Sequence, residues 1–127
     1  MNWLSAALSY MDGKLNLMSS SIPVHIWIDA QLGMLNARGI FYYIQQRGEQ
    51  NTGTVLLKLN GLSGECKLLA QQRDLDGNLG WVNALRKELV KEMEADSYIA
   101  RSISNDPDLW VIEIEDSEMN NPFELFS

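Results

Sequence analysis

The hydrophobic pattern first predicts a helix over residues 22–38 with an unusually wide apolar surface. Ser21 precedes it as an N-cap, Pro23 lies in its first turn and Gly39 ends it. A helical wheel shows two apolar faces, formed by Ile26, Trp27, Ala30, Met34 and Ala37 and by Val24, Ile28, Leu32 and Leu35. One covering layer needs a stripe of only about 100°. We therefore expect the sheet to cover one face, and the N-terminal helix, a later helix or a second copy of the chain to cover the other.

Three strand-like runs follow this helix, joined by short connections. Residues 40–46 are rich in aromatic and β-branched side chains, residues 54–60 alternate with Lys58 opposite the apolar positions, and residues 66–73 form the third run. The links 47–53 and 61–64 contain the glycines and polar residues typical of hairpin connections. Three consecutive strands with short links predict an antiparallel meander.

A long helix and a fourth strand complete the predicted fold. Residues 81–104 place apolar side chains at helical spacing, and Pro107 ends the helix. Residues 110–116 alternate between two faces. The predicted buried face consists of Trp110, Ile112 and Ile114, and the predicted solvent-exposed face consists of Val111, Glu113 and Glu115. The pattern predicts an α+β fold in which a helix, a three-stranded antiparallel meander, a long helix and a fourth strand form one sheet with helices packed on it.

The length of the chain fits one domain with one core, since 46% of its 127 residues are apolar. Residues 1–17 are predicted to be an N-terminal extension with a short helix over residues 3–11. Residues 18–118 are predicted to form the single α+β domain, and residues 119–127 an acidic and aromatic C-terminal tail.

The charge of the chain is uneven, and this limits the partners we expect. The formal net charge is −7, and residues 105–127 contain no Lys or Arg, so the acidic excess lies in this segment. Such a segment repels phosphate, so we expect neither nucleic acid nor an anionic membrane as a partner. We interpret this acidic segment either as a solvated surface or as a contact with a basic protein partner.

The single cysteine and the absence of long apolar runs favour a cytoplasmic protein. Cys66 allows no intrachain disulfide, which is typical of a reducing compartment. No apolar run approaches the roughly 20 residues that span a bilayer. The apolar start of the chain is not preceded by the basic residues of a signal peptide.

The motifs in the sequence do not complete a catalytic or metal-binding set. His25 and Asp29 form an i, i+4 pair that we assign to a helix surface. Residues 74–78 resemble the start of a calcium loop, but Leu79 and Leu85 stand where that loop needs glycine and glutamate. We therefore predict no catalytic residue, no metal ligand and no cofactor, and the sequence does not identify a small-molecule ligand.

The candidate binding residues lie in the last third of the chain. Asp96 falls within the predicted apolar stripe of the long helix, where it needs a partner such as Arg101 or backbone amides near residues 105–108. Residues 106–116 form the densest group of carboxylates. The candidates are Asp96, Arg101, Asp106, Asp108, Trp110, Glu113 and Glu115.

Two classes of function fit these observations. We favour a non-enzymatic cytoplasmic binding or regulatory module that acts through protein–protein contacts, with a protein partner or a second copy of the chain against the wide apolar helix. The alternative is a small metal-dependent enzyme that uses the carboxylates of residues 106–116, because clustered carboxylates bind divalent metals. In the tail, residues 122–126 are similar to the hydrophobic pentapeptide that docks onto the bacterial sliding clamp; packing of Phe123 and Phe126 on the core is the other interpretation.

Several segments resemble a known bacterial family. They are residues 25–30, 53–58, 94–101 and 106–116, of which residues 106–110, Asp-Pro-Asp-Leu-Trp, are the most specific. Over about residues 18–118 the chain resembles the small domain-of-unknown-function family numbered fourteen ninety-one. The resemblance implies a compact α/β or α+β unit of just over a hundred residues, and it implies no activity, cofactor or catalytic residue.

Overall fold

The computed structural model describes residues 23–123, which form a mixed six-stranded sheet with a helix on each face. The elements in chain order are α1 (Val24–Ala37), β1 (Tyr42–Gln46), β2 (Val55–Asn60), β3 (Glu65–Arg73), β4 (Leu79–Asn83), β5 (Val90–Lys91), α2 (Glu92–Asn105) and β6 (Trp110–Glu115). The predicted α+β class is confirmed. The predicted helix over residues 3–11, the cap at Ser21 and the side chain of Phe126 lie outside the described residues.

The strand order differs from the predicted one because β6 lies between β1 and β2. The order is β1-β6-β2-β3-β4, with β5 paired to β3, and β2 and β6 are parallel. The antiparallel meander is therefore β2-β3-β4 rather than β1-β2-β3. A central strand must be apolar on both faces. β6 meets this requirement through Trp110, Val111 and Ile112, all buried, so the predicted wet face of this strand is covered at Val111.

The second helix begins at Glu92, and the prediction of a helix from residue 81 is wrong. Residues 79–83 form β4, in which Trp81 is opposite Gln71, and residues 90–91 form β5. β4 and β5 pair with the two ends of the long strand β3, and between them Ala84 N donates to Leu68 O at 2.9 Å. Backbone groups along β3 need partners, and a helix over residues 81–91 would leave them unpaired. This pairing outweighs the helical spacing of the apolar residues.

The first core lies between α1 and the sheet. Ile28, Leu32 and Leu35 of α1 pack against side chains from β2 and β6, and Phe123 joins them from beyond β6. The wide apolar surface of α1 is thus partly explained, since Trp27 contacts Phe123 with ring centroids 5.3 Å apart. Ile26, on the same predicted face as Trp27, remains exposed.

The second core lies on the other face, under α2. Ala95 and Ile99 pack against a group of buried strand residues, Leu56, Cys66, Leu68, Val90 and Val111. The predicted apolar stripe, which includes Met93, Ala100 and Ile103, is only partly correct, because Ile103 packs against this core whereas Met93 and Ala100 are exposed. Within residues 23–123, neither helix combines the length and the apolar character needed to cross a membrane.

Candidate functional site

Lys58 is a charged residue at the centre of a fully buried strand. All six residues of β2 are buried, and the side chain of Lys58 is only 3% exposed. Val55, Leu57 and Leu59 belong to the core under α1, so alternation directs Lys58 toward α2. A buried ammonium group is costly unless it is paired and hydrogen-bonded.

Three carboxylates from two elements surround the ammonium group of Lys58. Its Nζ lies 2.7 Å from Asp96 Oδ1, 3.4 Å from Glu113 Oε1 and 3.8 Å from Glu92 Oε1. Glu113 is the register partner of Lys58 across the parallel β2–β6 pair, and Glu92 and Asp96 are one turn apart on α2. The side chain of Glu113 is 13% exposed and that of Asp96 is 53% exposed. The cluster therefore runs from the protein interior to its surface.

The carboxylates keep Lys58 protonated. Burial by itself lowers the pKa of Lys58, but the hydrogen bond to Asp96 and the negative charges of Glu113, Asp96 and Glu92 outweigh it, so the pKa is raised above 10.5. Lys58 is thus a fixed cation rather than a base or a nucleophile. Burial also raises the pKa of the neighbouring Cys66 thiol to about 11, against the opposing effect of the Lys58 charge.

Glu113 is held in one orientation by amide groups as well as by Lys58. Gln45 Nε2 of β1 donates to Glu113 Oε1 at 2.6 Å, and Asn60 Nδ2 of β2 donates to Glu113 Oε2 at 2.9 Å. Asn60 is itself oriented, because its Oδ1 accepts from Leu62 N at 2.8 Å. Side chains from β1, β2 and β6 are thus joined in one network that ends at the sheet edge.

The α2 face of β1 is open to solvent and carries aromatic side chains. Tyr43 is the register partner of Glu113, and Phe41 O accepts from Glu115 N, so Phe41 and Tyr43 lie beside these two glutamates. Phe41 is 72% exposed and Tyr43 is 55% exposed. α2 packs mainly against β3 and β5, and it leaves Phe41 and Tyr43 exposed. We call Phe41, Tyr43, Gln45, Glu113 and Glu115 the β1 surface, in which the first three residues are exposed and the two glutamates are partly buried.

A cleft of about 290 Å³ lies at the opposite end of the sheet, between the C-terminal half of α2 and the adjacent ends of β2 and β3. Leu56 is buried at its base, whereas Thr54, Asn105 and Asp106 are exposed at its rim. Tyr98 and Ser102 line it from α2. The cleft therefore has an apolar floor and a polar mouth.

The structure gives Asp96 a different partner from those predicted. Its carboxylate binds Lys58, not Arg101 or the backbone amides near residues 105–108. Arg101 is five positions further along α2, about 140° around the helix axis, so it points elsewhere and is exposed. Asp96 and Glu113, two of the predicted binding residues, meet through Lys58, which is not among the predicted binding residues.

The remaining predicted residues have local structural roles or lie elsewhere. Asp106 ends α2, and its Oδ1 accepts from Asp108 N at 3.0 Å. Trp110 is buried, and its Nε1 donates to Glu49 O at 2.8 Å. The Arg47 guanidinium lies 5.2 Å from the centre of the Trp110 ring. These residues secure the turn before β6.

The carboxylates of residues 106–116 do not form one group. Asp106 and Asp108 precede β6, whereas Glu113 and Glu115 lie near its other end, and Trp110 to Glu115 already span about 17 Å of strand. Among residues 23–123, no three His, Cys, Asp or Glu side chains come together as a possible metal site. The geometry therefore gives the predicted metal-dependent enzyme no support.

One signal in the sequence points to the cluster around Lys58. Residues 55–59 read Val-Leu-Leu-Lys-Leu, an apolar run typical of a central strand, and a lysine within such a run requires buried carboxylate partners. Glu92, Phe41, Tyr43 and Gln45 have no comparable signal, because their roles depend on the pairing of β1 with β6 and on where α2 begins.

Fold and site together define a small α+β domain built on a mixed sheet. The model of the family described as Protein of unknown function (DUF1491) matches residues 22–124, so the chain belongs to this family. The predicted resemblance to the family numbered fourteen ninety-one is thereby confirmed. The division of the chain at residues 17 and 118 stays a prediction.

Solved structures of the same family are similar to this chain. A crystal structure of a DUF1491 family protein from Caulobacter crescentus CB15 is 29% identical, with a TM-score of 0.69, and the match covers 78% of this chain and 92% of that one. An NMR structure of a DUF1491 family protein from the same organism is 30% identical, with a TM-score of 0.65, over 76% and 87% of the two chains.

The solution structure of protein Atu0922 from A. tumefaciens shares the fold. It is 20% identical, with a TM-score of 0.57, and the match covers 72% of this chain and 83% of that one. The search of curated proteins found no match. The family relationship thus supports the fold and indicates no particular function.

Proposed function

We propose that this protein is a non-enzymatic binding module that recognises an extended, basic segment of a partner protein along β1. The observation that carries this proposal is the β1 surface, where the exposed aromatic rings of Phe41 and Tyr43 lie beside Glu113 and Glu115 at the edge of the sheet. A cytoplasmic location is part of the proposal, since the single cysteine of the chain allows no intrachain disulfide.

Among residues 23–123 no strand pairs with the outer edge of β1, which therefore offers backbone hydrogen-bonding groups to such a segment. Glu115 N donates to Phe41 O, so the backbone of Phe41 faces β6. In an antiparallel pair, residues whose N–H and C=O groups face the partner strand alternate with residues whose groups face away from it. The N–H and C=O groups of Tyr42 and Ile44 therefore face away from β6. β1 reads Tyr-Tyr-Ile-Gln-Gln and contains none of the lysines or prolines with which proteins commonly protect an edge strand. An extended peptide can add to this edge as a further strand.

The charges beside β1 favour a basic partner. Glu113 and Glu115 lie on the α2 face of the sheet, and Glu92 and Asp96 extend the same acidic region toward α2. Lys58 is the one cation of this cluster, and it is buried beneath the carboxylates. An added strand would lie about 10 Å from β6, so long Lys or Arg side chains would have to reach across β1 toward the glutamates, whereas apolar side chains would contact the two aromatic rings directly.

A second copy of the chain fits the β1 surface less well. A twofold pairing of β1 with β1 of another copy would bring no basic side chain to Glu113 and Glu115, because β1 reads Tyr-Tyr-Ile-Gln-Gln. Self-association through the exposed part of α1, around Ile26, lacks the backbone groups that an edge strand supplies. We therefore commit to a basic extended segment.

Selection of peptides from a random phage-displayed library on the full-length protein tests this function. We expect the selected sequences to alternate Lys or Arg with β-branched or aromatic residues. The double variant Phe41→Ala/Tyr43→Ala should weaken their binding by about tenfold or more, since aromatic anchors dominate such contacts. Val82→Ala, which changes an exposed residue on β4 at the other edge of the sheet, is the matched control and should bind normally.

Three results would contradict the proposal. They are a selection that yields no peptides or peptides without basic residues, binding that depends on Val82 rather than on Phe41 and Tyr43, and a dimer in sedimentation experiments that the double variant abolishes. The last result would assign the β1 surface to a second copy of the chain.

A further inference from the structure

We infer that the cleft between α2 and the ends of β2 and β3 binds a small organic cation with an apolar body. This site is separate from the β1 surface, and neither depends on the other. Its floor is formed by the side chains of Leu56 and Ala70, which lie on the α2 face of the sheet and would contact an apolar body. Asn105 and Asp106 at the exposed rim would contact a charged head group.

The rim of the cleft is a region of negative potential. The C-terminal end of a helix carries a partial negative charge, which a cation stabilises. The last turn of α2 contains no basic residue, and Asp106 follows it directly as the C-cap, so the described residues here add to this charge. Asp108 is two positions further on. An ammonium or amidinium group at the mouth would be favoured, and a carboxylate would be repelled.

The size and shape of the cleft limit the ligand. A volume of about 290 Å³ lies at the lower end of the range for small-molecule sites, so the cleft fits a single small molecule rather than a peptide. Tyr98 and Leu109, both partly buried, also line the cleft. Ser102 Oγ already donates to Tyr98 O, so this hydroxyl group presents its acceptor side. These features suit an arylalkyl or alkyl ammonium ion.

Three probes of nearly the same shape separate the effect of charge from that of the apolar body. The full-length protein is titrated with 2-phenylethylammonium, 2-phenylethanol and 3-phenylpropanoate while amide resonances are followed by NMR. We expect saturable shifts only for the ammonium ion, confined to residues 54–56 and 98–106. Equal binding of the neutral alcohol, shifts centred elsewhere, or no saturable shift with any probe would overturn the inference.

Variants then test the position of the head group. Asp106→Asn keeps an acceptor for Asp108 N but removes the charge, and should weaken binding of the ammonium ion by roughly tenfold. Asp108→Asn, a matched neutralisation outside the cleft, should weaken it less. Ser102→Leu should fill the cleft and abolish binding while the protein remains folded. If Asp108→Asn matches Asp106→Asn, or if Ser102→Leu still binds, the assignment of the cleft is wrong.

Discussion

Lys58 Nζ lies 2.7 Å from Asp96 Oδ1, and this contact joins the central strand β2 to the first half of α2. The lysine is buried and the aspartate is half exposed, so the pair reaches from the core to the surface. Glu113 completes the link to β6 and, through Gln45, to β1. One buried cation thus connects the helix to the strand edge at which we place the partner.

Replacement of Lys58 by methionine should destabilise the protein. The change retains the apolar volume but leaves Glu113, Asp96 and Glu92 near one another without their cation. We expect the free energy of unfolding in urea to fall by about 2 kcal/mol, within the range for breaking a partly buried charge network. Lys67→Met on β3 is the matched control, because Lys67 is only half-buried and pairs with the exposed Glu88. Its effect should stay below about 1 kcal/mol; equal losses in the two variants would contradict the role of Lys58.

Stability at alkaline pH should report on Cys66. Burial raises the pKa of the thiol from 9.0 to about 11, so the folded protein retains a proton that the unfolded chain releases in this range. The resulting stabilisation is complete below pH 9 and is lost as the pH rises through about 11. Urea unfolding of the natural chain should therefore weaken more steeply over this range than that of Cys66→Ala. Lys58 is present in both proteins, so its own titration does not explain a difference between them. Parallel dependences of the unfolding free energy on pH would therefore contradict the raised pKa of Cys66.

The loop before β2 should not tolerate a side chain at Gly53. A Cβ atom there would lie 2.6 Å from Asp108 O and 2.9 Å from Trp110 Cδ1, which is closer than packed atoms allow. We expect Gly53→Ala to cost about 2 kcal/mol in unfolding free energy, the usual cost of overpacking. Gly33→Ala in α1 is the control, since its Cβ would meet no atom within 4 Å and alanine favours helix. A neutral Gly53→Ala would show that the turn before β6 is not tightly packed.

Phe123 should contribute to stability rather than to partner binding. It is buried against Trp27 and Trp81, at centroid distances of 5.3 Å and 5.9 Å. Phe123→Ala should lower the unfolding free energy by about 3 kcal/mol or more. Phe41→Ala, which removes an equally large but exposed ring, should change it by less than about 1 kcal/mol. If Phe123→Ala leaves the unfolding free energy unchanged, packing on the core is contradicted, and the result favours the interpretation of residues 122–126 as a docking peptide.

Local patterns predicted the elements of this fold better than their arrangement. α1, β2, β3 and β6 follow directly from apolar spacing and from turn residues, because these signals lie within each segment. The insertion of β6 between β1 and β2 does not follow from such local signals. It depends on which strand, however distant in sequence, is apolar enough for a central place in the sheet, where both faces are covered. Residues 81–91 have helical spacing, yet parts of this segment form β4 and β5, because pairing with β3 is again a non-local interaction that outweighs the local pattern.

The candidate site was predictable only in part. Asp96 is predicted as a binding residue because it falls in an apolar stripe and Glu113 because it belongs to a dense group of carboxylates, yet the partner of both is Lys58, 38 positions before Asp96. A charged residue in an apolar strand indicates that a carboxylate lies nearby but not which one. The exposure of Phe41 and Tyr43 follows from where α2 lies on the sheet, which no local pattern specifies.

Amide hydrogen exchange of the full-length protein with a selected basic peptide tests the central claim most directly. The N–H groups of Tyr42 and Ile44 face the free edge of β1, so saturating peptide should slow their exchange while the edge strand β4 is unchanged. The effect should disappear in Phe41→Ala/Tyr43→Ala. Slowed exchange at β4 or α1 instead, or no change at Tyr42 and Ile44 when the peptide is bound, would contradict recognition along β1.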